Sequence, residues 1–346
     1  MAKKVLITGG TGFLGVHLSR ALLKKGYKIT LFDIAPLDAT DLIGKLKYVK
    51  GDIRNQRSIT KATEGVDYVI HAAAALPIQR TKKAIFSINL SGTENVLKAS
   101  LEKKVRRLIF ISTTAVYGVP KNLPEKESSP LDPIGFYGES KVLAEKLCLE
   151  YFKKGLSVNI IRPKTFLGPE RLGVFQLWFE AIFTGKRVFI LGDGKNHYQL
   201  LAVSDVVSAI INAMGSEASG EIFNVGAKGF QTIGQDINSV IKFAGSKSRL
   251  TGLPVLPSQA ILALLEILNL SPIAAWHYKT LPVDSFVSTQ KAEKFLSWKP
   301  KKTNSELLIE SYSWYAEHRK DIINRKGITH RVGWNFQLLD LAKYLP

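Results

Sequence analysis

The pentapeptide "YGESK" sets a phenol, Tyr137, four residues before an ammonium, Lys141. On a helix that spacing puts both side chains on one face, where the cation stabilises phenolate and lets the tyrosine exchange a proton nearer neutral pH. A second stretch, "VLITGGTGFLGVHLSRALLKKG", packs four glycines between an apolar run and an amphipathic pattern. Gly10, Gly12 and Gly15 satisfy G-x-G-x-x-G, and Gly9, Gly12 and Gly15 give an alternative three-residue rhythm. Glycines at a strand-to-helix turn let backbone amides approach a pyrophosphate, and the helix N-terminus adds favourable polarity. Asp33 closes the next apolar run, "ITLFD". A carboxylate there accepts hydrogen bonds from an adenosine ribose and repels a 2′-phosphate, so the chemistry points to NAD rather than NADP.

Apolar strand patterns at Val5 to Ile7, Lys28 to Phe32, Lys47 to Val49, Tyr68 to His71, Arg107 to Ile111 and Ser157 to Arg162 are separated mostly by helical patterns. That alternation predicts an α/β protein with a Rossmann-type doubly wound parallel sheet over residues 1–163. Beyond Pro163 the pattern is mixed. Residues 164–346 read as a smaller substrate lobe covering one side of the cofactor crevice, with a segment such as Ile222 to Val225 able to rejoin the main sheet. The 346 residues, 45% hydrophobic and 22% charged, suffice for a large core. One cysteine, Cys148, excludes an intramolecular disulfide framework. Met1 to Lys4 runs directly into the first strand, and the expected location is the cytoplasm. The net charge of +19 is scattered over helix ends and loops such as Lys103, Lys104, Arg106 and Arg107. With no concentrated stripe or recognisable module, nucleic acid is not an expected partner, whereas an acidic membrane surface or anionic substrate remains compatible.

The chain resembles the extended short-chain dehydrogenase/reductase family, also called the NAD-dependent epimerase/dehydratase family. The resemblance runs through "TGGTGFLG", "GDIRN", "HAAA", "INLSGTENVL", "ISTTAVYG", "YGESKVLAE", "IRP", "LGDGKN" and "FNVG". It implies Tyr137 as acid/base, Lys141 on the nicotinamide ribose, and Thr113, four residues before Tyr117, as the hydroxyl polarising the substrate oxygen. Gly9, Gly12, Phe13, Leu14, Gly15 and Asp33 then line the cofactor. Asp52 and Ile53 flank adenine, Ala72 and Ala73 lie beside the pyrophosphate, and Asn89 helps position the lysine. No His, Cys or carboxylate spacing suggests a metal. The resemblance also implies a homodimer through helices near Asn89 to Leu101 and Lys141 to Phe152.

In the substrate region the chain departs from the nucleotide-sugar members of that family. Thr165 of "IRPKTFLGP" stands where they commonly place asparagine, and Tyr198 and Gln199 stand where they place arginine and aspartate. Lys164, Arg171, Lys195 and His197 offer substitute donors for a phosphate. The "IRP" turn and "GDGKN" look more like the 3β-hydroxysteroid dehydrogenase branch. The leading expectation is therefore an NAD-dependent dehydrogenase interconverting hydroxyl and ketone on an apolar or lipid-like substrate. The alternatives are a UDP- or dTDP-sugar epimerase or dehydratase and, more remotely, a non-catalytic dinucleotide-binding protein. An apolar segment from Ala260 to Leu270 is too short to span a bilayer and is expected as a buried lobe helix or dimer surface, ahead of an interfacial membrane helix.

Overall fold

The computed structural model describes residues 2–76, 81–268 and 275–324. In chain order the first elements are β1 (Lys4–Thr8), α1 (Phe13–Lys24), β2 (Lys28–Asp33), β3 (Lys47–Lys50), α2 (Gln56–Ala62), β4 (Tyr68–His71), α3 (Lys82–Phe86), α4 (Thr93–Glu102), β5 (Arg107–Ile111), α5 (Gly135–Lys153) and β6 (Val158–Pro163). They are followed by β7 (Phe166–Leu167), α6 (Phe175–Phe183), β8 (Val188–Leu191), β9 (Leu201–Ala202), α7 (Val203–Gly215), β10 (Ile222–Val225), α8 (Ile233–Phe243), β11 (Leu250–Leu253), α9 (Val255–Ile267), α10 (Ala275–Thr280), α11 (Gln290–Leu296) and α12 (Asn304–Asn324).

Two compact units share the chain. The first comprises Met1–Phe166, Gln199–Lys228 and Phe286–Lys302. It holds a seven-stranded sheet in the order β10-β6-β5-β4-β1-β2-β3, every pair parallel. Alternate residues of each strand face opposite layers. Val5, Ile7, Ile109, Ile111 and Ile161 pack with Leu18 and Leu22 of α1 and Val206 and Ile210 of α7. Leu6, Val69, Leu108, Phe110 and Ile160 pack with Val96 and Leu97 of α4 and Ala144 and Cys148 of α5. Both faces are thus covered, as a parallel sheet requires, and strand order reverses between β1 and β4. The carboxyl ends of those two strands flank the crevice where such sheets bind ligands.

The second unit comprises Leu167–Tyr198, Gly229–Ser285 and Thr303–Pro346. Its β8 and β11 pair in parallel. Phe179 of α6 meets Tyr312 of α12 edge-on at 5.9 Å, and Glu180 accepts two 2.7 Å bonds from Arg319. α8 begins with a capping box in which the Thr232 hydroxyl accepts from the Gln235 amide and the Gln235 side chain accepts in return.

α9 corrects one expectation. The apolar segment from Ala260, as far as it lies within the described residues, is no buried lobe helix. No residue of α9 is buried, and Leu256 and Ile267 are each 78% exposed. Its polar residues turn inward instead: Gln259 donates to the Tyr278 carbonyl at 2.9 Å, and Glu266 accepts from the Tyr278 hydroxyl at 2.7 Å. Asn269 and Leu270 lie outside the described residues. No helix among the described residues is long and apolar enough to cross a membrane.

Candidate active site

The turn after β1 is shaped by what a side chain would strike. Gly9 has φ +69°, and a Cβ there would come within 2.7 Å of the Ala73 amide nitrogen. At Gly15 a Cβ would meet the backbone of Gly10, with its Cα only 2.6 Å away. The turn therefore presses against the loop after β4 and against the first turn of α1. Gly12 caps α1 with no side-chain hydrogen bond, and the first helical turn carries no acidic residue. The start of the helix thus carries the polarity that favours an anion, with no carboxylate in its first turn to oppose one. Phe13 and Leu14 are buried at the start of that helix. Asp33 ends β2 and braces the same turn: Oδ2 accepts from the Thr11 amide at 3.1 Å and Oδ1 from the Ala35 amide at 3.0 Å. A carboxylate retains lone pairs for ribose hydroxyls after accepting those two bonds.

Across the crevice, the Ala72 amide donates to the Thr8 carbonyl at 3.1 Å, and the Ala73 amide to the Thr8 hydroxyl oxygen at 3.4 Å. Behind them His71 bridges the hydroxyls of Thr8 at 2.7 Å and Thr93 at 2.9 Å. Burial, with a smaller push from Lys141, drives its pKa down to about 3. It is a neutral strut. Asn89 sits in a six-residue π-helical segment, Ser87–Gly92, between α3 and α4. Its side chain accepts from the Ala75 amide at 2.7 Å and donates to the Ala75 carbonyl and the Ser140 hydroxyl. Asn89 thus ties the loop after β4 to α5, through the residue beside Lys141. Ile53 is buried under Gly92, where a Cβ would meet its Cδ1 at 2.6 Å. Asp52 is held by Arg54, whose Nε lies 2.9 Å from Oδ2, and that hydrogen bond lowers the carboxyl pKa despite some burial.

Tyr137 and Lys141 lie in the first two turns of α5. Lys141 is 3% exposed; its Nζ donates to the Ile111 carbonyl at 2.8 Å and lies 4.7 Å from the centre of the Phe110 ring. Burial brings its pKa from 10.5 down to about 8, opposed by Cys148 and Glu145. Thr113 follows β5, and its hydroxyl oxygen accepts from the Ala115 amide at 3.1 Å, leaving its proton to donate. Its neighbours are committed elsewhere. Ser112 is buried and donates to Glu145, while Thr114 is buried in the short 3-10 turn that Thr113 caps. Of the three hydroxyls in "STT", only that of Thr113 is half exposed.

Lys164 follows β6 and is 3% exposed; burial lowers its pKa to about 7, with Glu125 acting in opposition. Thr165 beside it is half-buried. Gln199 is buried and both ends of its amide are occupied, Nε2 donating to the Ala227 carbonyl at 3.2 Å and Oε1 accepting from the Val287 amide at 2.9 Å. In the second unit Tyr198 is 1% exposed, Lys195 is exposed beside Asp193, and the His197 amide donates to Asp284 at 2.6 Å. Arg171 there is half-buried. Among the described residues no group of His, Cys, Asp and Glu is disposed to hold a metal ion.

The sequence pattern of the NAD dependent epimerase/dehydratase family matches residues 5–226, from β1 through β10. The chain belongs to that family. It is similar to an uncharacterised protein, y4nG, of Sinorhizobium fredii, at 32% identity over 99% of this chain and 86% of the relative. It is also similar to mouse sterol-4-alpha-carboxylate 3-dehydrogenase, decarboxylating, at 28% identity over 92% of this chain and 93% of that protein. Among solved structures it shares the fold of the UDP-glucuronic acid 4-epimerase of Bacillus cereus, crystallised in complex with NAD, with a TM-score of 0.76 and 24% identity over 91% of this chain and 99% of that one. This is an NAD-dependent family of enzymes, and the glycine turn, the N-terminus of α1 with no acidic residue in its first turn, and Asp33 suit that dinucleotide.

One consequence of Lys141 is directly measurable. In the role expected for it from the sequence its ammonium stabilises the Tyr137 phenolate, and a pKa near 8 means that this ammonium is lost as pH rises through that value. The alkaline limb of kcat/KM is therefore expected near pH 8, about two units below that of an ordinary exposed lysine. A pH profile that stays flat up to pH 10 would contradict it.

Proposed function

We propose that this protein is an NAD-dependent dehydrogenase that interconverts a hydroxyl and a ketone on an apolar or lipid-like substrate, with Thr113, Tyr137 and Lys141 as its reacting groups. Gln199 carries the substrate reading. With Tyr198 it stands where nucleotide-sugar members of the family place an arginine and an aspartate, and its amide is bonded at both ends to backbone. Neither residue brings the positive charge of that arginine to a diphosphate, and both are buried. The likeness to a sterol dehydrogenase over nearly its whole length supports the same reading. The nucleotide-sugar alternative is supported by a likeness of the same extent to the UDP-glucose 4-epimerase of Lactobacillus helveticus, 28% identical over 92% of this chain, and by the buried amine of Lys164 at the carboxyl edge of β6.

In the oxidative direction, Thr113 donates to the substrate oxygen and Tyr137 as phenolate takes the hydroxyl proton, which returns in reduction. Lys141 holds its ammonium beside the phenolate and supports the nicotinamide ribose. NAD, when bound, supplies the acceptor for the hydride. Asp33 favours NAD over NADP, because a 2′-phosphate would face its carboxylate. The protein acts in the cytoplasm as a homodimer, through α4 and α5, where Leu143 and Phe152 expose apolar surface. The exposed stripe of α9 is available for peripheral contact with a membrane.

The test is a substrate panel. NAD-loaded protein is incubated with hydroxysteroids, long-chain hydroxy acids, UDP-sugars and dTDP-sugars, following NADH by absorbance and sugar products by chromatography. NADH accumulating with a lipid-like alcohol is the expected result. Conversion of a nucleotide sugar without net NADH would replace this reading with the epimerase/dehydratase one.

A further inference from the structure

Glu145 lies on α5 one turn beyond Lys141 and two beyond Tyr137, on the same face, with its side chain 3% exposed. Its Oε1 accepts from the Ser112 hydroxyl, next to Thr113, and from Arg162 Nε at 2.9 Å. Its Oε2 accepts from Arg162 Nη2 at 2.5 Å. Arg162, the one charged residue in the fully buried strand β6, reaches on with Nη1 to the Tyr117 hydroxyl at 2.8 Å and the Glu127 carbonyl at 3.2 Å. The Tyr117 hydroxyl in turn donates to Asn224 Oδ1 of β10 at 2.8 Å.

We propose that Glu145 is a positioning residue, whose carboxylate sets the helix face bearing Tyr137 and Lys141 against the end of β5 bearing Thr113. The proposal rests on the reading of those three residues as the reacting groups. Stability alone is a weak reason for this arrangement, because a buried ion pair can often be replaced by well-packed apolar residues at no net loss. Apolar packing, however, does not fix direction, whereas three hydrogen bonds to one carboxylate, two from Arg162 of β6 and one from Ser112 just after β5, fix α5 along and across the sheet. Hydride and proton must leave the substrate from fixed positions, and a misplacement of about 1 Å costs on the order of a hundredfold in rate. Glu145 also adds to the field that opposes loss of charge at Lys141.

The experiment is a mutant cycle read by turnover, using the panel compound that the wild type converts fastest. In Glu145→Leu/Arg162→Met the polar pair is exchanged for apolar volume. The melting temperature and the calorimetric NAD affinity are expected to stay close to wild type while kcat falls about thirtyfold with KM little changed. In a Tyr137→Phe background the same pair of changes is expected to cost less than about threefold, because the group being positioned is already gone. A purely structural role would give equal factors in both backgrounds and overturn the proposal, as would wild-type turnover in the stable double variant. If that variant does not fold, Glu145→Asp, which withdraws the carboxylate by one methylene and keeps its charge, enters the same cycle with the same two outcomes. Wild-type turnover in Tyr137→Phe alone, or no turnover of any panel compound by the wild type, would instead remove the reading beneath the proposal, and the proposal with it.

Discussion

Tyr137→Phe is expected to lower turnover by about a hundredfold or more while leaving NAD(H) affinity within a few-fold of wild type. The substitution deletes one hydroxyl from a half-exposed position in the first turns of α5, so little packing is lost. What disappears is the only phenol four residues from Lys141, and with it the proton acceptor of the proposed oxidative step. Lys141→Ala should differ in kind. Lys141 donates to the Ile111 carbonyl and lies against Phe110, and in the proposed role it also supports the ribose, so its loss is expected to weaken both cofactor binding and rate. Steady-state kinetics paired with calorimetric titration separates the two patterns. Near-wild-type turnover in the phenylalanine variant would show that another group moves the proton.

Gly15→Ala should act on the cofactor instead. The added methyl would sit 2.6 Å from the Cα and carbonyl carbon of Gly10, backbone atoms that move only if the whole turn moves. Overpacking of this kind costs about 1–3 kcal/mol, which is roughly a ten- to hundredfold loss of NAD affinity where the strain falls on the binding turn. The same titration, repeated with NADP(H), reads the selectivity assigned to Asp33. Wild type is expected to bind NAD(H) more tightly, Asp33→Ala to lose that preference, and Gly15→Ala to weaken both cofactors alike. Stronger NADP(H) binding by the wild type would contradict the role of Asp33.

The parts of the site that were legible in the sequence are those fixed by local geometry. A glycine turn between a strand and a helix, a carboxylate closing the next strand, and a tyrosine and lysine one helical turn apart are patterns within a few residues. The strands of the first unit were legible for a related reason, since each is an apolar run closed off by a turn. Strand order was not, because the inner strands are covered on both faces and their sequences carry no sign of their neighbours. Nothing local in the sequence marks Glu145 as buried. Its partner, Arg162, is 17 residues away, and the one available signal was an arginine inside an otherwise uncharged strand, "VNIIRP". In α9 the sequence shows an apolar segment but not how deeply it is covered. Gln259 and Glu266 share its half-buried side with Leu262 and Leu265, and there they bond the Tyr278 carbonyl and hydroxyl.

The most direct measurement follows the hydride itself. A substrate from the panel is deuterated at its carbinol carbon and incubated with NAD and the enzyme, and both dinucleotide and product are analysed by mass spectrometry. The account expects NADH to accumulate one mass unit heavy, matched by an undeuterated ketone. Deuterium recovered in a rearranged sugar product, with the dinucleotide unchanged, would contradict the dehydrogenase reading while leaving the site on the same residues.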